Sequence, residues 1–253
     1  MAPTAVSLVI PTYKEVLNIE PLCKRIDEVL KDAGIPYEIL FVDDNSNDGS
    51  EEKVASLAAT GLPVRIHVRK TERGLSSAVV AGFREAKNDV FLVMDADLQH
   101  DPKYIPDIVG PIISGQADFV VGSRNVGGGK VEDWPLVRRI ISWGATAMAV
   151  PLTSSSDPMS GFFSIHRKTF EKAKGLNPMG YKIGLELMVR CGCKKVEEVG
   201  IVFRDREHGE SKLTMKQNVL YVRQLLGLYW AAYPLPILVA ILAVLFVLYK
   251  LLL

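Results

Sequence analysis

From Ala5 to Ser123 the chain alternates short, almost wholly apolar runs with stretches of helical length. That order is the mark of a mainly parallel sheet flanked by helices, because parallel strands are buried on both faces and need crossover connections between them. The runs predict strands at Val6–Ile10, Tyr37–Val42, Val64–His67, Val90–Met94 and Phe119–Val121. Between them Asn18–Lys31, Asp48–Ala59, Leu75–Ala86 and Pro102–Ile113 have helical lengths, with Asn18 and Asp48 as N-caps. Gly127-Gly128-Gly129 opens a flexible loop after the fifth strand that could serve as a mobile lid.

Beyond that loop the pattern changes. Leu136–Val150 joins Arg138 and Arg139 to an apolar stretch, which suits either a helix lying on a membrane or an amphipathic helix packed on the sheet. Thr214–Leu228 interleaves Leu220, Leu225, Leu226 and Leu228 with Lys216 and Arg223, and is expected to lie at the interface. Leu235–Leu253 is apolar except for Tyr249 and Lys250. As a helix it would reach about 28 Å, enough for one membrane span. Trp230 and Tyr233 suit an aromatic belt, and Lys212, Lys216 and Arg223 ahead of the span favour a cytosolic catalytic side. The expected division is a catalytic domain over 1–213, an interfacial helix over 214–229 and a transmembrane segment over 230–253.

Composition narrows the chemistry. Thirty basic against 29 acidic residues leave a net charge of +1, so no global field gathers nucleic acid and anions must be held locally. Three cysteines cannot form a complete disulfide set, and Cys191-Gly192-Cys193 has no second pair at zinc spacing. Ala5–Ile10 is too short for a signal peptide.

The strongest cluster of reactive residues is Asp95-Ala96-Asp97-Leu98-Gln99-His100, directly after an apolar strand. Open parallel sheets bind ligands beyond the carboxyl ends of their strands. In an extended stretch Asp95, Asp97 and Gln99 would project to one side as oxygen ligands for Mg²⁺ or Mn²⁺. His100 would support that site or open the next helix. Asp43 and Asp44 end the second strand at the same edge, where a carboxylate can accept hydrogen bonds from a base or ribose, cap a helix or close a turn. Pro11-Thr12-Tyr13-Lys14-Glu15 lacks the glycines of a dinucleotide loop, which disfavours a nicotinamide dehydrogenase. Four scattered histidines offer no Ser/His/Asp set.

These residues, with Arg73-Gly74-Leu75-Ser76-Ser77-Ala78, Gly122-Ser123-Arg124, Asp133-Trp134-Pro135, Asp157-Pro158-Met159-Ser160-Gly161-Phe162-Phe163 and Gly209-Glu210-Ser211-Lys212, form an ordered series. The series resembles glycosyltransferase family 2, of GT-A fold, in its single-chain, C-terminally anchored branch acting on dolichyl phosphate. The resemblance implies an inverting, metal-dependent transfer of mannose from GDP-mannose to dolichyl or another polyprenyl phosphate, feeding glycoprotein glycosylation and GPI-anchor synthesis. It implies an endoplasmic reticulum membrane, or a prokaryotic plasma membrane, with catalysis on the cytosolic face. Pro11, Tyr13, Glu15, Val42, Asp44, Arg73, Asp95, Ala96, Lys182, Arg206 and Lys212 would hold the nucleotide. Asp95, Asp97 and Gln99 would share the metal with the donor diphosphate. Ser123, Arg124 and one of Arg138 or Arg139 would hold the acceptor phosphate, because guanidinium forks bind phosphate oxygens bidentately. Asp97, Arg124 and Arg138 would carry catalysis. Two other readings stay open: a polyprenyl-phosphate glycosyltransferase with another donor such as UDP-glucose, and a silent adaptor that binds lipid phosphate.

Overall fold

The computed structural model describes residues 4–131, 136–204, 215–239 and 242. Apolar strands with helical crossovers form as the pattern requires: β1 (Val6–Thr12), α1 (Val16–Asp32), β2 (Tyr37–Asp43), α2 (Ser50–Ala59), β3 (Val64–Val68), α3 (Leu75–Glu85), β4 (Val90–Val93), α4 (Ile105–Ile113) and β5 (Phe119–Ser123). A single 3₁₀ turn, Pro102–Tyr104, splits the fourth expected helix, started by Asp101 accepting from the Lys103 N–H. After β5 come β6 (Lys130–Val131), α5 (Leu136–Ala149), β7 (Phe163–His166), α6 (Arg167–Phe170), α7 (Ile183–Arg190), β8 (Val196–Gly200), β9 (Val202–Phe203) and α8 (Met215–Ala232).

Seven strands make one sheet in the order β3-β2-β1-β4-β7-β5-β8, and β6 pairs with β9 in a small ribbon. β7 runs antiparallel between β4 and β5; the other pairings in the sheet are parallel. Alternation along each strand sorts the core into two layers. Leu8, Ile10, Phe41 and Leu92 pack under α1, α2 and α4, whereas Val9, Leu40, Phe91 and Phe163 pack under α3 and α7. Gly82 on α3 lets helix and sheet approach closely, since a Cβ there would sit 2.3 Å from Val9 Cγ1.

Both expected caps differ: the N-cap of α1 is Glu15, and that of α2 is Gly49, one residue after Asp48. Asn18 does not start α1; the helix begins at Val16 and buries Asn18, whose Nδ2 donates to Glu15 Oε2. Asp48 serves the first turns of both helices, accepting from the Val16 N–H at 3.2 Å and from the Ser50 N–H at 3.1 Å. A cap supplied across the sheet edge leaves no local sequence signal.

The chain leaves β1 toward β2 on one side, while β4 lies on β1's other side. Strand order therefore reverses between β1 and β4, the position at which open α/β sheets form their ligand crevice. Among the described residues, the four non-glycine residues with left-handed backbone, Lys14, Asn45, Asn47 and Leu98, all lie in loops at this carboxyl edge. Such conformations are costly and concentrate at sites where geometry is held for function.

Candidate active site

A cavity of about 480 Å³ opens in that crevice. Its walls come from the end of β1 (Pro11) and the loop after it (Tyr13, Glu15), the residue after β2 (Asp44), the turn before α3 (Arg73, Gly74), the loop after β4 (Asp95, Ala96, Asp97, Gln99, His100), Arg124 beyond β5, Lys182 ahead of α7, and Gln217 on α8.

Asp95, Asp97 and Gln99 do meet at one cavity, but through a bend rather than an extended strand. β4 ends at Val93, and Leu98 turns the chain with φ +63°. The Gln99 N–H donates to Asp97 Oδ1 at 3.2 Å, and Gln99 Nε2 donates to the Arg204 carbonyl at 2.8 Å, which fixes the ends of the amide. His100 braces the loop from inside: Nδ1 accepts the Asp95 N–H at 3.2 Å, and the ring stacks on Phe162 with centroids 4.9 Å apart. Burial pushes His100 down to about 4, opposed by the Asp97 charge and reinforced by that of Arg124. A neutral ring with Nδ1 already engaged is a support for the loop. Gly161 closes the other side, where a Cβ would stand 3.2 Å from Asp95 Oδ2.

Asp43 and Asp44 separate into two roles. Asp43 accepts from the Ser46 N–H at 2.8 Å and from the Ser46 hydroxyl, closing the turn after β2. Asp44 faces the cavity, accepts from the Gly74 N–H at 2.7 Å and pairs with buried Arg69, whose Nε lies 2.8 Å from Oδ1. Arg69 also donates to the Ser77 hydroxyl and the Gly74 carbonyl, tying β2 to the start of α3. Sequence reasoning missed Arg69, since a lone arginine after a strand carries no signal of burial. Tyr13 is flanked by cations, with Arg73 and Lys14 lying 5.6 and 5.5 Å from its ring centroid.

Arg124 is held by Asp157, through Nε to Oδ2 at 2.8 Å and Nη2 to Oδ1 at 2.7 Å, with the Arg124 N–H also on Oδ2. Burial alone would raise the Asp157 carboxyl, but hydrogen bonds and charge from Arg124 outweigh it and hold it below the usual carboxylate range. Glu198 on β8 organises the approach, accepting from the Ser155 hydroxyl and the Ser156 N–H. Lys182 Nζ donates to the Met159 carbonyl at 2.8 Å and lies over the Tyr181 ring. A fixed cation and the acidic loop thus share one chamber.

The remaining expected residues fall elsewhere. Val42 is buried in the layer under α3, and Ser123 is fully buried with its hydroxyl 3.4 Å from that of Ser156; neither lines the cavity. Arg138 and Arg139 lie on α5, their side chains outside the described residues, as are Arg206 and Lys212. Gln217 was not foreseen.

A mainly parallel α/β sheet with Asp95 and Asp97 lining a cavity of about 480 Å³ at its switch point has the architecture of a GT-A fold. A family model for glycosyl transferase family 2 matches residues 7–173. The chain belongs to that family. It is 47% identical over 88% of its length to a dolichol-phosphate mannosyltransferase of Mycosarcoma maydis, covering 78% of that protein. It is 46% identical over 87% of its length to a dolichol-phosphate mannosyltransferase of Pyrococcus furiosus, spanning 62% of that longer protein. Among solved structures, glucosyl-3-phosphoglycerate synthase from Mycobacterium tuberculosis, in complex with Mn²⁺, UDP-glucose and phosphoglyceric acid, matches with a TM-score of 0.65 and 19% identity, over 91% of this chain and 80% of that one. That likeness is one of fold.

Proposed function

We propose that this chain transfers mannose from GDP-mannose to the phosphate of dolichol or another polyprenol, inverting the anomeric carbon. One observation carries the reading: two carboxylates and an amide on a braced loop share a cavity with a guanidinium fixed by a buried aspartate. The names of the M. maydis and P. furiosus relatives supply the sugar and the acceptor class.

The donor set fits a divalent cation of the Mg²⁺ or Mn²⁺ kind. Among the described residues no three His, Cys, Asp or Glu side chains form a complete shell. Such ions bind through one or two carboxylates plus substrate phosphates, so Asp95 and Asp97, with Gln99, would hold the cation together with the donor diphosphate. Bound there, it would stabilise charge on the departing diphosphate. The chain's own residues do the rest. Tyr13, Glu15 and Asp44 line the nucleoside end, while Arg124 offsets the charge of two anions approaching one carbon. A phosphate monoester has its second pKa near about 6 and arrives already charged, so no side chain need remove a proton.

The acceptor is a membrane lipid, and the apolar tail is read as its anchor. No helix among the described residues is long and apolar enough to cross a membrane; residues 240, 241 and 243–253 lie outside the described set. Catalysis on the cytosolic face, at the endoplasmic reticulum or a prokaryotic plasma membrane, belongs to the same proposal.

The test is a panel of labelled GDP- and UDP-sugars with dolichyl phosphate, run with Mg²⁺, Mn²⁺ or EDTA, on wild type and Asp97→Ala. Mannosyl transfer from GDP-mannose alone, lost with EDTA and reduced by roughly a thousandfold or more in the variant, is expected. Preference for another donor, or turnover in EDTA, refutes the assignment.

A further inference from the structure

Three buried side-chain oxygens among the described residues lack a hydrogen-bond partner: Asn18 Oδ1, Gln217 Oε1 and Gln224 Oε1. Gln217 alone of the three lines the chamber that contains Asp95 and Asp97. Leaving a buried acceptor unpaired is costly, which makes such an atom inside a ligand cavity a sign of what the ligand brings.

The position of Gln217 is set by the helix it rides on. Tyr221, Leu225 and Leu228 of α8 are buried, and Gln217 and Gln224 share their face at helical spacing. Gln224 Nε2 donates to the Lys182 carbonyl and to Glu186 Oε2, both at 3.2 Å, fastening α8 beside the start of α7. One side of Gln217 is Gly180, where a Cβ would lie 3.8 Å from Oε1. Gly180 is anchored in turn, its carbonyl accepting from the Ser76 N–H. Its φ is +63°, so glycine keeps that wall in a conformation that side chains resist.

We infer that Gln217 is a specificity-determining residue whose side-chain oxygen accepts a hydrogen bond from a hydroxyl of the bound nucleotide sugar. The chemistry narrows the partner to the O–H groups of the sugars and the N–H groups of the base, and the test separates the two. An amide oxygen only accepts, so the dianionic acceptor phosphate and the diphosphate offer it nothing. A polyprenyl chain carries no hydroxyl once phosphorylated. The ribose and the hexose of the donor do, and both are classes of ligand this cavity takes under the function proposed above, on which the inference rests.

The test uses the full chain in detergent. Wild type is titrated calorimetrically with GDP-mannose, GDP-glucose and UDP-glucose, and the tightest of these is the probe; the matching nucleoside diphosphate is the second ligand. Gln217→Leu keeps the volume and removes the acceptor. Loss of one hydrogen bond predicts about tenfold weaker binding of the probe, with a ligand-free melting temperature unchanged or raised because no unpaired acceptor remains. Weakening of the nucleotide sugar alone assigns the hexose hydroxyl, and equal weakening of the nucleoside diphosphate that vanishes with its 2′,3′-dideoxy analogue assigns the ribose; either supports the inference, whereas equal weakening that persists with that analogue assigns a base N–H and overturns it. Wild-type affinity in the variant overturns it. So does a fall in ligand-free stability shared by Gln217→Ala, which makes the residue structural. A wild type that prefers UDP-glucose refutes the mannosyl reading while the inference is still judged on that probe. A wild type that binds none of the three refutes both.

Discussion

The sheet half of the molecule and the α5–α8 pair dispose of apolar surface in opposite ways. Among the described residues up to Ser123, the only large apolar side chains left exposed are Leu17 and Ile113. The buried apolar residues of the sheet pack under α1, α2 and α4 on one face and under α3 and α7 on the other. On α8 only one face is covered, by contact of Tyr221, Leu225 and Leu228 with Ala149 and Leu185. The opposite face leaves Val219, Val222, Leu226 and Trp230 open, and Trp143 on α5 is 74% exposed. Tyrosine hydroxyls join the two helices and the turns after them: Tyr221 and Tyr229 of α8 donate to the carbonyls of Ala145 and Met148 of α5 at 2.6 and 2.9 Å, and Tyr233, just past α8, donates to that of Pro151, just past α5, at 2.5 Å. Hydrogen bonds along one seam fix the pair without using up its outer surface. A contiguous apolar patch of this kind marks an interaction surface, and under the function proposed above a bilayer is the complement to test.

If the sheet half is the part whose internal partners are indispensable, breaking one there should have the largest effect. Asp157→Ala leaves the Arg124 guanidinium without its carboxylate in a mostly buried position. A cost of about 3 kcal/mol is expected, with turnover falling further because the guanidinium loses its fixed plane. Denaturant unfolding measures the first and initial rates the second. A stable variant with normal turnover would mean that Arg124 positions itself.

Much of the sheet half was legible because its signals are local. Apolar runs bounded by turn residues mark β1 to β5 to within two residues, and position after a strand marks Asp95 and Asp97. What escaped depends on distant partners. β7 (Phe163–His166) is not among the expected strands; it enters antiparallel between β4 and β5, and its neighbours are set by the closing of the sheet. Asp157 appeared as one residue of a motif, without a sign that it would hold Arg124 from 33 positions away. Gln217 gave no cue, since only the docking of α8 brings an amide to the cavity. The period-two argument placed Asp95, Asp97 and Gln99 on one side of an extended stretch, whereas they line one cavity through a turn about Leu98.

A smaller effect is expected from Glu38, buried in the sheet half and unconnected to the site. It accepts from the Ser7 hydroxyl at 2.6 Å, the Lys87 N–H at 2.6 Å and Arg65 Nε at 2.9 Å. Burial would raise its pKa, but these partners prevail and lower it. A depressed carboxyl contributes stability above its unfolded pKa, near 4.5, and that contribution is lost as pH falls through the folded value. Glu38→Gln should therefore cost about 2 kcal/mol at pH 7 and progressively less in acid. Melting curves for the two proteins from pH 7 to pH 3 should converge; a constant gap would assign the loss to packing.

The smallest effect on stability, and the sharpest test of the contrast, is expected at Leu226. Its side chain is 68% exposed on the outer face of α8, so Leu226→Lys removes almost no internal contact and keeps a good helix former. Unfolding free energy should shift by no more than about 0.5 kcal/mol, the range for exposed positions. A bilayer would respond differently, because a lysine there places charge among acyl chains beside Val222 and Trp230. Tryptophan fluorescence in vesicles with brominated acyl chains should be quenched strongly in wild type and less in the variant. The requirement for polyprenyl phosphate should rise severalfold while that for the donor holds, since the donor cavity lies on the inner side of α8. Unchanged quenching would show that this face does not meet lipid. A loss of several kcal/mol would show instead that the face is covered by protein, and the two halves of the molecule would then bury apolar surface in the same way.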